Sequence, residues 1–515
     1  MKRFWDLRIL LILMILGSLL LQNQLQTSMP TLEQHWNRTK ISKADVQSLL
    51  TEEECHANAR SEMACWMVVG KLVSAMPVLL EKFQAEPWSK SSLQKLKDPQ
   101  SFLGTEKQIF ESIYQLSLNL KDVNFDRIRA LIPWNQLQEM KFGKAFLAQV
   151  MNLFYSITID PHTSVIPISY FSEVMNQPEV QQIGLGFNYV FNDGKLLITQ
   201  VRFPIENKGQ TLRRGDQITH INGQKMDSFS ILELQDILKT QAHLTLRARG
   251  IDFSVDRVAY TSKNISASWL SEKSKVAVIR IHKFTQGICE KVSDSILQYQ
   301  KRGMRGLILD MRDNPGGPLD QAVCVTGLFV AKGTHVLSTV DLQSGDETVL
   351  KTENASIYGG PLAVVMNSQS ASSAEIVAGA LQDLGRAKVV GENSFGKGTF
   401  QEGIALDRAG NVALFKTKGF YVFPSGYSPQ LTGIIPDRPI ANLVNLPREK
   451  DLYLFPLMLP EGRRKIQSMK VLARSQQGYK DLSVCPDIDV DFSLDQVSQE
   501  ALHVLSCQPL AQVGL

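Results

Sequence analysis

The spacing of apolar residues changes several times along the chain. Ile9 to Leu21 is an almost unbroken apolar run behind Lys2, Arg3 and Arg8. As a helix those 13 residues rise about 20 Å, short of the roughly 30 Å hydrocarbon core. A basic start and a short apolar run predict a signal peptide, or an uncleaved anchor extended by Phe4 and Trp5, over residues 1–29. From 30 to 177, stretches such as FGKAFLAQVMNLFYSI place apolar residues three and four apart and predict a mainly helical region, ending at DPHTSVIP. Over 178–253 the pattern becomes short β-like runs, IGLGFNYV, KLLITQVR, DQITHING and HLTLRARG, with one amphipathic helix, ILELQDILKT, among them. Over 254–445, strands (KVAVIRIH, GLILDMR, PLAVVMN, AKVVGE) alternate with helices (CEKVSDSILQYQKRG, SAEIVAGALQDLG), which predicts a layered α/β domain. Residues 446–515 form a C-terminal region from which no role can be read.

Hydrophobic residues at 43% and charged ones at 21% exclude disorder for most of the chain. A net charge of +4 over 515 residues gives no reason to expect nucleic acid as a partner. Six cysteines fall as Cys55/Cys65, Cys289/Cys324 and Cys485/Cys507, and in an exported chain near-neighbour disulfides are expected. With no C-x-x-C and no H-x-x-x-H, neither a metal nor a cofactor is expected. Three N-x-S/T sequons, at Asn37, Asn264 and Asn354, are no more than chance gives at this length.

The stretch GENSFGKG at 391–398 begins like a phosphate-cradling loop, but Gly398 stands where a magnesium-holding hydroxyl belongs, and GTFQEGIAL after it favours extended chain over helix. An ATP-using enzyme is therefore a weak reading. Upstream, NSQSASSAE sets serines between the strand PLAVVMN and a helix. A serine at such a junction faces free backbone N–H groups and the positive helix end, which suit a developing oxyanion. It becomes a nucleophile when a base removes its proton, and a desolvated lysine can be that base. Apolar neighbours such as Phe395 and Phe400 could supply the desolvation for Lys397.

Taken together, SASSAE, ALQDLGRAKVVGE and FGKGTFQ resemble the carboxy-terminal processing proteases, a Ser–Lys peptidase family. The resemblance covers roughly residues 155–440 and is strongest over 305–437. It implies Ser372 as nucleophile, Lys397, 25 residues on, as general base, and Gln401 as the residue that positions the lysine. Ser373 stands where the family usually has alanine, so its backbone N–H serves the oxyanion hole while its hydroxyl sits beside the nucleophile. LILDMRDNPGG resembles the family's glycine-rich signature and implies Gly317 N–H as second oxyanion donor with Gly316 beside it, Asp310 and Arg312 shaping the turn. DPHTSVIP resembles the segment before the family's binding module. His162 in it is set aside as catalytic, since nothing in the sequence orients it. IGLGF and LRRGDQITHING resemble a PDZ domain, whose carboxylate-binding loop would be Gly184, Leu185, Gly186 and Phe187.

The expected architecture is thus an α+β multidomain chain: a mainly helical N-terminal region, a β-rich PDZ module and a layered α/β, ClpP/crotonase-like serine peptidase core. The expected function is tail-directed endoproteolysis in the periplasm or cell envelope, acting without cofactor on polypeptides with apolar C-terminal tails. Membrane association through the N-terminal segment and an oligomer or adaptor are further expectations. The rival is a catalytically silent PDZ-type binding protein.

Overall fold

The structure, a computed structural model, describes residues 162–508, apart from 176–179, 193–194, most of 230–239, 406–411, 441–445, 453–456, 464–494 and 507. The expected signal segment, the part of the expected helical region before residue 162 and the pairs Cys55/Cys65 and Cys485/Cys507 lie outside the described residues.

Two apolar runs, Gly306–Asp310 and Leu362–Met366, are buried at every position. That pattern belongs to parallel strands covered on both faces. They are the centre of a six-stranded sheet, ordered Ile265–Ser271, Val276–Ile281, Gly306–Asp310, Leu362–Met366, Lys388–Gly391, Arg438–Pro439. Only the first pair is antiparallel. Alternate residues divide between two cores, as the two-residue repeat of a strand requires. Ala277, Ile279, Leu307, Leu309, Val364 and Val389 join the helices α1 (Ile288–Lys301), α2 (Leu319–Gly327) and α3 (Ser373–Asp383). Val276, Ile308, Ala363, Val365 and Val390 pack instead under α4 (Gln496–Ser506), through Ala501, Val504 and Leu505. The C-terminal region thus supplies the third layer of the sandwich. A disulfide between Cys289 and Cys324 joins α1 to α2.

A second sheet holds Thr399–Ala405 against the long strand Val412–Val422, which also pairs with His335–Asp341 and with Ser164–Pro167. The α/β body therefore draws on chain that precedes the β-rich module. That module is a sheet ordered Ile251–Asp256, His243–Ala248, Gln217–Ile221, Lys195–Val201, Phe187–Asn192, closed over its own apolar cluster. It is joined to the body by a two-stranded antiparallel ribbon, Val180–Gly184 with Val258–Ser262.

Candidate active site

The strand Leu362–Met366 delivers the chain into a tight turn and then into α3, and Ser372 stands at that junction. Its backbone is forced into φ 54°, ψ −118°, a region costly for a residue with a Cβ. The surroundings that hold it there are visible. Ala371 N–H donates to Asn314 O at 2.9 Å. Ser370 Oγ donates to Met311 O at 2.8 Å, and Asn367 Nδ2 to Asp313 Oδ1 at 2.8 Å. The turn after Gly306–Asp310 is thereby stitched to the turn before Ser372. Burial pushes the Asp310 carboxyl up, but Arg312 and Arg280 outweigh it and hold it below its usual range. Arg312 Nη2 donates to Asp310 Oδ2 at 2.7 Å, fixing the base of that turn.

Of the two glycines of DNPGG, Gly316 presses against the serine and Gly317 against Phe284. A Cβ on Gly316, at φ 96°, would lie 2.6 Å from Ser372 Cβ. One on Gly317 would lie 2.1 Å from Phe284 O. Gly316 N–H donates to Asn314 Oδ1 at 2.8 Å, so this glycine allows close approach while its N–H is occupied. The Ser373 hydroxyl is occupied too. It is buried and donates to Gly317 O at 2.8 Å, which ties the first turn of α3 to the glycine turn.

Lys397 lies at the mouth of the strand Thr399–Ala405. Its Nζ donates to Gln401 Oε1 at 2.8 Å. Gln401 Nε2 donates to Thr399 Oγ1 at 3.2 Å and Thr417 Oγ1 at 3.4 Å, so two threonines turn the amide oxygen toward the lysine. Tyr421 Oη donates to Lys397 O at 2.7 Å, and burial pushes that phenol well above its ordinary range.

Glu375 links the two loops, and its part was not assigned from the sequence. Three residues after Ser372 on α3, its side chain is fully buried. Oε2 accepts from Ser372 N–H at 2.8 Å and from Lys397 N–H at 2.9 Å. Oε1 accepts from Gly396 N–H at 2.7 Å and from Ser394 Oγ at 2.5 Å. Burial pushes its carboxyl up to about 8, against the pull of these four donors. The spacing S-x-x-E is a capping-box signal, so the contact to Ser372 was legible; the contacts to residues 394–397 were not.

The same loop disposes of phosphate binding. The N–H groups of Ser394, Phe395, Gly396, Lys397 and Gly398 donate to Ile434 O, Ser370 O, Glu375 Oε1, Glu375 Oε2 and Gln430 Oε1 respectively. All five point inward, and a strand rather than a helix follows.

His162 does have an orienting group, contrary to the sequence reading. Its Nε2 lies 2.6 Å from Oε1 of the buried Glu449, whose N–H donates to Phe395 O at 3.0 Å. The histidine thus braces the loop before Lys397 from behind, through a residue 287 positions away.

In the β-rich module, Gly186 takes φ 76°, and a Cβ there would strike the Phe203 ring. Leu185 and Phe187 are buried in the module's cluster, and Gly184 passes under Tyr260. Phe187–Asn192 is the last strand of its sheet, so an extended peptide could add alongside it. Arg214 reaches from this module to the body: Nη1 and Nη2 donate to Glu392 Oε1 and Oε2 at 3.0 and 3.2 Å. Glu392 in turn accepts from Ser368 N–H at 3.0 Å, in the turn before Ser372.

A β-rich peptide-binding module mounted on a layered α/β peptidase body is the class this arrangement defines. Residues 173–249 match the model of the PDZ domain, and residues 275–440 that of peptidase family S41. Over those residues the chain is similar to both families, and the curated proteins it resembles include carboxy-terminal processing proteases. It is 30% identical over 268 residues to the carboxy-terminal processing protease CtpA of Bacillus subtilis, covering 49% of this chain and 56% of that one. It is 30% identical over 294 residues to a carboxy-terminal-processing protease of Bartonella bacilliformis, covering 55% and 66%. The chain thus spans less than two thirds of the length of these relatives. Among solved structures, the photosystem II D1 C-terminal processing protease is similar over 61% of this chain and 86% of that one, at 22% identity and a TM-score of 0.43.

Proposed function

We propose that the protein is a serine endopeptidase that captures polypeptide C-terminal tails in its PDZ domain and cleaves an upstream bond with a Ser372–Lys397 dyad. The observation that carries this is the shared Glu375 carboxylate, which fixes the serine junction and the lysine loop to one another. Lys397, as the neutral amine, takes the proton from Ser372 Oγ as that oxygen attacks the scissile carbonyl. Gly317 N–H and Ser373 N–H face the oxyanion. As the intermediate collapses, the lysine returns its proton to the leaving amine and the acyl-enzyme forms. Water then attacks the ester with Lys397 again as base, releasing the acid and free Ser372.

Tail occupancy of the PDZ domain gates this chemistry by shifting a resting arrangement toward a competent one. The Arg214–Glu392 contact supports that coupling. The Cys289–Cys324 bond and the basic, apolar N-terminus support export to the cell envelope. The test follows degradation of an unfolded substrate with and without an apolar tail, by wild type, Ser372→Ala and Lys397→Ala. Loss of cleavage in both variants, and faster cleavage of the tailed substrate by wild type, is expected. Equal cleavage rates in wild type and Lys397→Ala would remove the dyad, and no cleavage by wild type would favour a binding protein without catalysis.

A further inference from the structure

Among the buried side chains of the PDZ cluster, one comes from outside residues 185–255: Leu446, 1% exposed. It enters from the chain that follows the peptidase body. Its neighbours in sequence hold to that body, and to both loops of the candidate site. Gln369 Nε2 donates to Pro447 O at 3.4 Å, in the turn before Ser372. Glu449 N–H donates to Phe395 O at 3.0 Å, in the loop before Lys397, and Glu449 is pinned by His162. Residues 446–449 therefore form a strap with one end in the PDZ apolar cluster and the other on the catalytic loops.

We propose that Leu446 is a built-in competitor for the apolar end of a tail. In this resting state it occupies the apolar cluster to which Leu185 and Phe187 of the Gly184–Phe187 loop also belong. The inference rests on the reading of this module as a tail-binding domain. Its physical basis is an asymmetry between the two occupants. Leu446 continues through a peptide bond into Pro447, so it brings an apolar side chain and no charge. A polypeptide terminus brings a side chain and a carboxylate, and the N–H groups of the loop favour the carboxylate. A true tail therefore displaces the strap, whereas an internal apolar residue of a bystander protein competes with it on equal terms and against its higher local concentration. Displacement also loosens Pro447 and Glu449, so that arrival of a tail is registered at Gln369 and Phe395.

The test uses the full chain carrying Ser372→Ala, to prevent turnover, and a fluorescein-labelled decapeptide ending in leucine, as free acid and as C-terminal amide. Adding Leu446→Ala should tighten binding of the free acid by roughly tenfold, since the competing side chain is removed. Without that change, saturating free acid should speed hydrogen exchange of the amides at 448–451 by at least roughly fivefold, and the capped peptide should not. If Leu446 is a fixed part of the PDZ core, Leu446→Ala will weaken binding and lower Tm, and exchange at 448–451 will stay constant as peptide saturates. Either result overturns the proposal while leaving tail recognition intact. Failure of the free acid to bind both proteins would overturn tail recognition itself, and the competitor with it.

Discussion

The backbone N–H groups of Ser372 and Lys397, 25 residues apart in sequence, donate to the same oxygen of Glu375. The relative placement of Ser372 and Lys397 is thus set by a third residue, through their backbone N–H groups. Glu375→Gln turns one acceptor oxygen into an NH2 facing donors. It should lower kcat about 100-fold, with PDZ peptide affinity unchanged. Steady-state hydrolysis and peptide anisotropy check the two parts.

The same carboxyl predicts a pH dependence of stability. Burial raises it to about 8 in the folded chain, above its unfolded value, so the folded state holds a proton that the unfolded state has lost. Stability contributed this way is complete below the unfolded value and is lost as pH rises toward the folded one. Wild type should therefore weaken relative to Glu375→Gln by up to about 1.4 kcal/mol per pH unit between roughly pH 5 and 8. A flat difference between the two proteins across that window would contradict it.

Gln401 accepts from the Lys397 amine at 2.8 Å. Gln401→Glu puts a negative charge at that contact and favours the protonated amine. The rising limb of kcat against pH should move up by about one unit, and Gln401→Ala should lower kcat without that displacement. Full pH–rate profiles separate the two outcomes.

Arg214 and Glu392 join the PDZ domain to the turn before Ser372, with side chains 28% and 11% exposed. Arg214→Ala should cut the stimulation of hydrolysis by a tail and leave peptide affinity within twofold. A double-mutant cycle with Glu392→Gln should give a coupling of about 1–2 kcal/mol. Additive single effects would show that the contact carries no communication.

Cys289 and Cys324 close a loop with a sequence separation of 35. Replacing both with alanine should lower unfolding free energy by about 4 kcal/mol on chain-entropy grounds. Hydrolysis at a temperature where both forms stay folded should be little changed, because the bond joins α1 to α2 and not the loops that carry Ser372 and Lys397. Thermal melts with and without reductant provide the check.

What could be read from the sequence followed the range of the interactions. Gly306–Asp310 and Leu362–Met366 announce themselves as unbroken apolar runs, and the helix Ser373–Asp383 as a periodic one. Ser372 and the glycine turn lie at the ends of those elements and Lys397 at a fixed spacing beyond them, so motif spacing sufficed to nominate them. Glu375 was visible as a cap but not as the tie to the lysine loop, because that tie depends on where the strand Thr399–Ala405 begins in space. Arg214 and Glu392, 178 positions apart, and His162 and Glu449, 287 apart, carry no local pattern at all. His162 is the instructive miss: its orienting partner sits in a region whose sequence gave no sign of a role. Ser164–Pro167 was read as the end of a helical region, and only its pairing with Val412–Phe415 reveals it as part of the peptidase sheet.

The ribbon of Val180–Gly184 and Val258–Ser262 means that the chain departs for the recognition module and returns at neighbouring points. A graft on such a paired stem can be exchanged for another without shifting either end of its host. Target choice could then diverge quickly, by substitution of a whole cassette, while the reacting centre keeps its geometry. A foreign domain spliced between residues 184 and 258 would redirect which polypeptides are presented without rebuilding the chemistry.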